Sequence, residues 1–230
     1  MPIAQLPGAP PVEITLRRSA RARRYSLRVS QLDGRVTLTL PQGAPLDEGL
    51  AFAREKAGWI RAQLAGQPVP APVAVGGSVP FEGSQLPIVA GRRRGAVLAD
   101  GQLEVPGDPA RVGPCVRAFL KEQARGRLAA ASDRHAAALG RSYGRITLRD
   151  TRSRWGSCSS RGDLMYSWRL VMAPPEVLDY VAAHEVAHLA EMNHSAAFWA
   201  VVEGLCPGHR APRAWLRAHG ALLHRVRFDD

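Results

Sequence analysis

The sequence has few cysteines and few aromatic residues. Its three cysteines, Cys115, Cys158 and Cys206, stand far apart and form no CxxC pair. An odd, sparse set of this kind argues against a disulfide framework and favours a reducing compartment. Aromatic residues make up only 6% of the chain. With 46% hydrophobic and 22% charged residues, the composition is nevertheless that of an ordinary folded globular protein.

Long apolar runs are also missing from the sequence. No stretch approaches the roughly 18 uninterrupted apolar residues of a membrane-spanning helix. The first 11 residues contain four prolines and no continuous apolar segment, which is unlike a secretory signal. We therefore expect a cytoplasmic protein with no membrane partner.

Acidic residues are fewer than basic ones. Lysine and arginine total 31 against 20 aspartates and glutamates, which gives a formal charge of +11. Such an excess suits anionic partners such as nucleotides or nucleic acid, and a solvated basic surface explains it equally well. The segment Arg17–Arg28, with six arginines and Tyr25, is the main support for nucleic acid, but no base-reading motif accompanies it.

Periodic patterns indicate an α+β protein in two parts. Short alternating segments recur within residues 13–40 and 78–105, and a helical pattern separates them at Leu46–Leu64. Asp33-Gly34 is a hairpin signal between two of these segments. Gly107-Asp108-Pro109 is the best candidate for a boundary. The sequence therefore predicts a β-rich N-terminal module with one long helix over residues 1–110 and a second domain over residues 111–230.

The second domain is predicted to begin with a long helix. Its Ala- and Leu-rich pattern runs over Val112–Leu139 and ends at Gly140. Short strands are expected at residues 145–149, 154–157 and 164–168, the last two as a hairpin. Ser195 can cap a later helix, Ala196–Leu205, and a final helix is expected from about Pro212 to Val226.

One helix carries a metal-binding pattern, His184-Glu185-Val186-Ala187-His188. Pro174-Pro175 opens this helix, which we expect to continue to Met192 and to stop at Asn193. Histidines at i and i+4 lie on one helix face, so both imidazoles can bind one cation. Glu185 is placed to take a proton from a metal-bound water. Chance produces this pattern in roughly one chain in a hundred of this composition.

A catalytic zinc site takes three protein ligands, and three residues are candidates for the third. His194 lies six residues after His188, which is the spacing of the extended three-histidine signature, although Glu191 stands where that signature has Gly. Glu191 itself shares a helix face with both histidines. Glu203 would be a more distant carboxylate ligand. The spacing favours His194, with one zinc ion per chain.

Several segments outside this helix form further sequence boxes. They are Arg23–Val29, Trp59-Ile60, Arg152–Ser159, Ser167–Leu170, Asp179–Val181, Asn193–Ser195 and Phe198-Trp199. The segments from Arg152 onward resemble the SRWGSCS, NWRL and NHSxxFW elements of the YgjP-like family of zinc-metallopeptidase-type proteins, relatives of the SprT and WLM (Wss-type) proteases. Arg23–Val29 and Trp59-Ile60 resemble the N-terminal module of that family. Ser167 replaces the commoner Asn of the NWRL element. The resemblance extends from about residue 13 to residue 225.

This resemblance implies a zincin-like second domain with a small antiparallel sheet and an active-site helix. It also implies that His184, His188 and His194 are the zinc ligands and that Glu185 is the catalytic base.

The resemblance further suggests how a substrate is held. In proteins of this type an edge strand beside the active-site helix can accept an extended peptide by β-addition, and Arg154–Ser157 and Leu164–Trp168 are the candidate strands. The candidate substrate-binding residues are Arg152, Arg154, Trp155 and Trp168. The arginines would stabilise an oxyanion or hold a phosphate. The alternative interpretation makes both tryptophans core residues and Gly156 a tight bend.

Three functional hypotheses follow from these features. The leading one is a zinc-dependent metalloendopeptidase, a hydrolase that acts on a peptide or protein. The second keeps the metal and changes the substrate, since members of the resembled family have also been described as pyrophosphatases acting on UTP, although no P-loop is present. The third is a nucleic-acid-binding module with a structural zinc, or a basic N-terminal module that brings a protease to DNA-bound proteins.

Overall fold

The chain divides into two units, Met1–Pro70 and Ala71–Asp230. A computed structural model describes residues 2–30, 34–65 and 73–228. The division falls earlier in the chain than the boundary expected at residue 110. The physical reason is a shared core, because Val79, Ile88 and Leu103 are buried in the same hydrophobic cluster as the long helix that follows them.

The first unit contains a four-stranded sheet. Its strands, in the spatial order β1-β2-β4-β3, are β1 (Ile3–Leu6), β2 (Val12–Ser19), β3 (Ser26–Val29) and β4 (Val36–Pro41). Strands β2 and β4 are parallel, while β3 and β4 pair antiparallel, as the hairpin signal predicts. Asp33 of that signal lies outside the described residues. Alternate residues of β4 are buried, which is the period of a sheet with one covered face.

Two helices complete the described part of the first unit. They are α1 (Leu46–Glu55) and α2 (Ala57–Ala65). The sequence predicts one continuous helix here, but the helical run is interrupted at Lys56. Ala53 and Ile60, one from each helix, are fully buried in the core of this unit.

The second unit begins with a sheet and a long helix. The strands are β5 (Ser78–Phe81), β6 (Ser84–Gly91), β7 (Val97–Ala99) and β8 (Gln102–Pro106), in the order β5-β6-β8-β7. Helix α3 (Pro109–Leu139) follows. Asp108 caps its start by accepting a hydrogen bond from Ala110 N at 3.1 Å, so the helix begins three residues before the expected Val112. Gly140 ends it, as predicted, in a left-handed conformation with φ of 66°.

A small three-stranded sheet comes next. It consists of β9 (Ile146–Arg149), β10 (Gly156–Cys158) and β11 (Leu164–Ser167), in the order β10-β11-β9. Strands β10 and β11 form the predicted antiparallel hairpin. Strand β9 pairs parallel to β11, so the sheet is mixed rather than wholly antiparallel. The order leaves β10 at an edge and β11 at the centre.

After a short 3-10 helix, Trp168–Met172, three α-helices complete the described part of the second unit. They are α4 (Pro175–Ala187), α5 (Ala196–Leu205) and α6 (Arg210–Leu223). Ser195 caps α5 by accepting a hydrogen bond from Phe198 N at 3.3 Å, as predicted. Helix α4 is buried on most sides. These elements give an α+β architecture consistent with a zincin-like domain, which confirms the predicted fold class.

Helix α4 is shorter than the sequence predicts. We expected it to reach Met192, but its regular part ends at Ala187. The N–H groups of Leu189 and Ala190 donate to the carbonyls three residues earlier, at 2.9 and 3.0 Å. Such bonds tighten the last turn and end the α-helix. Within the described ranges, no helix combines the length and the apolar character needed to cross a membrane.

Burial of α3 in the core of the second unit leads to a stability prediction. Leu120 on α3 is completely buried, whereas Leu98 on β7 is 45% exposed. We expect Leu120→Ala to lower the free energy of unfolding by about 2–5 kcal/mol, because it leaves a cavity. Leu98→Ala should change it by no more than about 0.5 kcal/mol. Urea unfolding followed by tryptophan fluorescence tests this, and equal losses in the two variants would contradict it.

Candidate metal centre

Three histidines from neighbouring elements converge at the end of α4. His184 lies on α4, His188 is its C-terminal cap, and His194 precedes α5. One ring nitrogen from each lies within 4.8 Å of the others, an arrangement that could hold a metal ion. The Nε2 atoms of His184 and His194 are 3.0 Å apart. Among residues 2–30, 34–65 and 73–228, no second group of this kind is present.

The turn after α4 brings His194 back to the helix. Glu191 N donates to Ala187 O at 3.0 Å, so one last helical turn follows the regular helix before the chain continues to His194. The Nδ1 atom of His188 lies 3.0 Å from the carbonyl oxygen of Glu191. Because a carbonyl only accepts hydrogen bonds, His188 carries its hydrogen on Nδ1. Its Nε2 atom therefore keeps a free lone pair.

Apolar surroundings keep the imidazoles of His184 and His188 neutral. The ring of Phe198 lies 4.9 Å from that of His184, 4.5 Å from His188 and 4.7 Å from His194, measured between centroids. Burial, reinforced by the neighbouring histidines, lowers the pKa of His184 to about 3. Burial also lowers the pKa of His188. Neutral imidazoles are the form that binds metal ions.

Glu191 and Glu203, the two carboxylates considered as the third ligand, lie outside the histidine cluster. Glu191 contributes its backbone carbonyl to His188, and its carboxylate is not part of the cluster. A carboxylate oxygen of Glu203 lies 2.7 Å from Nδ1 of His209. The geometry therefore brings His194, rather than either carboxylate, to His184 and His188.

Glu185 lies on the side of α4 that faces strand β10. Its side chain is 6% exposed, and the backbone N–H of Cys158 donates a hydrogen bond to its carboxylate. Burial raises the pKa of Glu185 to about 8, although the Arg154 guanidinium and the Cys158 hydrogen bond act in the opposite direction. A carboxyl group in this setting can hold and release a proton near neutral pH.

Gly156 provides the space that Glu185 occupies. A Cβ atom at position 156 would lie 2.5 Å from Oε1 of Glu185 and 2.6 Å from its Cγ. Gly156 is not among the residues with positive φ, so the glycine is needed for the approach of α4 rather than for a bend. Sequence analysis missed this role, since nothing local to the Trp155-Gly156 pair indicates which side chain lies against it.

The histidines and Glu185 open into one cleft. Its volume is about 480 Å³, and β10 and the residues before it form the opposite wall. Arg154 lies on that wall and interacts electrostatically with Glu185. Met192, a side chain that is 52% exposed, lines the same cleft. A substrate in this cleft would meet the histidines, the carboxyl group and the guanidinium together.

The other three predicted substrate-binding residues are not in the lining of this cleft. Arg152 is exposed and outside the lining of this cleft. Trp155 is half-buried, with its ring 4.8 Å from that of His224, and it lines a smaller pocket of about 240 Å³ that His184 and Glu185 also line. Trp168 is 1% exposed and packs on Phe228 in the core. Trp168 therefore does not reach the cleft, and the core interpretation describes it.

The order of strands decides which of the two candidate strands can accept a peptide. Leu164–Ser167 is the central strand, so both of its edges are occupied. Strand β10 is an edge strand. Ser167 N donates to Trp155 O at 2.8 Å, and Ser159 N to Asp163 O at 2.9 Å. Because backbone groups alternate along a strand, those of Gly156 and Cys158 face away from β11. The Cys158 N–H already donates to Glu185, so it is not available to a peptide at this edge.

The basic segment Arg17–Arg28 lies in the first unit. One of its arginines has a structural role, because the Arg18 guanidinium donates to the carbonyl oxygens of Pro41, Gln42 and Ala44 at 3.3, 2.9 and 2.9 Å. The nucleic-acid interpretation of this segment gains no support from these contacts.

The match to a family model agrees with the chemistry of the cleft. The family model described as YgjP-like, metallopeptidase domain, matches residues 23–219. No curated protein matches the chain. A solved structure that the chain resembles is the metallopeptidase zymogen of Pyrococcus abyssi, abylysin, with 23% identity and a TM-score of 0.37. That similarity covers 44% of this chain and 99% of the other.

The contact between Gly156 and Glu185 leads to a testable difference between two glycines. Gly156→Ala should lower the free energy of unfolding by about 1–3 kcal/mol, because the added methyl group must displace the buried carboxylate. Gly126→Ala on α3 is the matched control, since nothing lies within 4 Å of its Cβ position. That change should be neutral or stabilising by up to about 1 kcal/mol. Equal stability of the two variants in urea unfolding would contradict the packing described.

Proposed function

Because the chain belongs to the YgjP-like metallopeptidase family, we propose that it cleaves internal peptide bonds of proteins with one zinc ion held by His184, His188 and His194. The observation that carries this proposal is the convergence of the three imidazoles and Glu185 on a single cleft. A metallopeptidase-type hydrolase needs a metal site and a proton acceptor beside the same substrate, and this cleft offers both.

The donor set fits zinc. Catalytic zinc sites use three protein ligands, often nitrogen, and leave a position for water or substrate. The three histidines offer converging ring nitrogens, and the burial that lowers the pKa of His184 and His188 keeps their lone pairs available. His188 is also oriented by its hydrogen bond to Glu191 O, which is the usual support for a metal-binding histidine.

In the proposed reaction, bound zinc would supply Lewis acidity, lowering the pKa of water to about 7 and polarising the scissile carbonyl. Glu185 accepts the proton of the attacking water and then delivers it to the leaving amine. The Cys158 N–H and the space at Gly156 hold its carboxylate at the floor of the cleft. That fixed position serves both proton transfers without a change of rotamer.

The substrate is proposed to bind as an extended strand along β10. The outward-facing backbone groups of Gly156 can pair with a peptide by β-addition, which accepts many sequences because main-chain groups supply the hydrogen bonds. Arg154, on the same wall of the cleft, is proposed to donate hydrogen bonds to the oxygen that becomes negative during attack. Arg152 lies outside the cleft lining and has no role in this proposal.

Removal of the Glu185 carboxylate tests the proton transfers. Glu185→Gln should keep zinc and lose at least about 100-fold in the rate of protein cleavage, because the amide cannot accept the proton. Cleavage of an unstructured protein, followed by gel electrophoresis and mass spectrometry, measures the rate. Glu176→Gln is the matched control, since Glu176 is exposed on the first turn of the same helix.

Undiminished cleavage by Glu185→Gln would sink the proposed mechanism. The same assay should include UTP, with release of pyrophosphate as the readout. Glu185-dependent hydrolysis of UTP without cleavage of any protein would replace the peptidase proposal with the nucleotide alternative.

Loss of one imidazole tests the ligand set. His194→Ala should lower zinc affinity by at least about 10-fold, because one of three ligands is gone. His219→Ala, a change of an exposed histidine on α6, should leave both affinity and stoichiometry at the wild-type value of one ion per chain. Equilibrium dialysis with elemental analysis measures both. Wild-type affinity in His194→Ala would return the role of third ligand to a carboxylate.

A further inference from the structure

A second pocket lies beside the histidine cluster, on the far side of Trp199. Its volume is about 670 Å³, and it is lined by Trp199, Glu203, Gly208, His209, Arg210 and Arg213. It lies between the end of α5 and the start of α6. None of these residues belongs to the cleft that contains His188 and Glu185.

His209 forms the buried wall of this pocket. It is 6% exposed, and its ring is stacked between Tyr180, at 6.2 Å and 16°, and Trp199, at 5.5 Å and 17°. Its Nδ1 atom lies 2.7 Å from the Glu203 carboxylate. The two flanking rings hold the imidazole in a fixed orientation, and Glu203 is the one carboxylate in the lining of the pocket.

Two guanidinium groups give the pocket a positive charge. Arg213 lies over the ring of Trp199, with its central carbon 4.4 Å from the ring centroid. Arg210 is exposed at the start of α6. In the part of the chain that the structure describes, no carboxylate forms an ion pair with either arginine. An arginine fixed on an aromatic ring presents a planar set of donors that matches a carboxylate.

We propose that this pocket, through Arg213 and Arg210, binds a carboxylate of the peptide substrate. The proposal rests on the proposed peptidase function and adds a preference in what is cleaved. A peptide carries such a carboxylate in two places, namely the α-carboxylate at its C-terminus and the side chain of an acidic residue within it.

The position of the pocket suits a substrate held at the histidines. Trp199 contacts both sites, with its ring centroid 5.8 Å from that of His184 and 5.5 Å from that of His209. Arg213 also acts electrostatically on His184 and on Tyr180. A carboxylate bound here would thus fix one end of the peptide near the metal ligands.

Binding of matched peptides to zinc-loaded Glu185→Gln protein tests the proposal without turnover. The peptides are fluorescently labelled, share one sequence and form a nested series of lengths. Each is prepared in four forms, and fluorescence anisotropy measures the affinity of each form. Two forms differ only at the C-terminus, as free carboxylate or amide. The other two carry the amide and differ by an internal Glu or Gln. We expect one carboxylate form to bind about 10- to 100-fold more tightly than its neutral match.

The second set of variants identifies the residue responsible. Adding Arg213→Gln should abolish the preference for the carboxylate, and Arg213→Lys should retain part of it, because lysine keeps the charge without the planar donors. Adding Arg125→Gln is the matched control, since Arg125 is exposed on α3 and outside the pocket. The zinc content of each variant shows whether the metal centre is intact.

The outcomes separate this proposal from the proposed function. A preference for the free C-terminus or for internal Glu, lost with Arg213, supports the pocket and identifies the source of the carboxylate. Equal binding of acidic and neutral peptides, or a preference that survives Arg213→Gln, overturns the pocket and leaves the peptidase proposal standing. If no peptide binds in any form, the pocket proposal fails, and cleavage by the wild-type protein decides the peptidase proposal independently.

Discussion

The carboxylate of Glu185 lies directly against the backbone of β10, with Cys158 N–H donating to it and no side chain at Gly156 to separate them. This contact fixes the distance between α4 and the edge strand. The histidines are on the same helix or just after it, so their position relative to that strand follows from the same contact. A larger residue at position 156 would move the helix, the carboxylate or the strand.

Burial acts on the two kinds of titratable group in the cleft with opposite effects on their pKa values. It raises the pKa of Glu185 and lowers those of His184 and His188, because it disfavours the charged form of each. The imidazoles therefore stay neutral and able to bind a cation, while the carboxyl group keeps an affinity for protons that suits proton transfer. Phe198 contacts all three histidine rings, whereas strand β10 covers Glu185.

Aromatic packing continues from the histidine cluster into the region of α5 and α6. Trp199 touches His184 and His194 on one side and His209 on the other. Aromatic contacts thus connect the candidate metal ligands to a positively charged pocket within the second unit. In the proposed function, the edge strand would hold the backbone of a substrate, and the pocket would add a requirement for negative charge that β-addition alone does not impose.

Local sequence signals determined several helix ends and the first two candidate metal ligands. The i, i+4 spacing of His184 and His188, the capping serine at Ser195 and the left-handed Gly140 act within about one helical turn, so the sequence alone predicts them. The central position of β11 and the burial of Trp168 depended on tertiary contacts. The same holds for Gly156, which meets Glu185 from a distant part of the chain. Only the packed structure brings such residues together, because local propensity acts over a few residues while packing acts across the whole core.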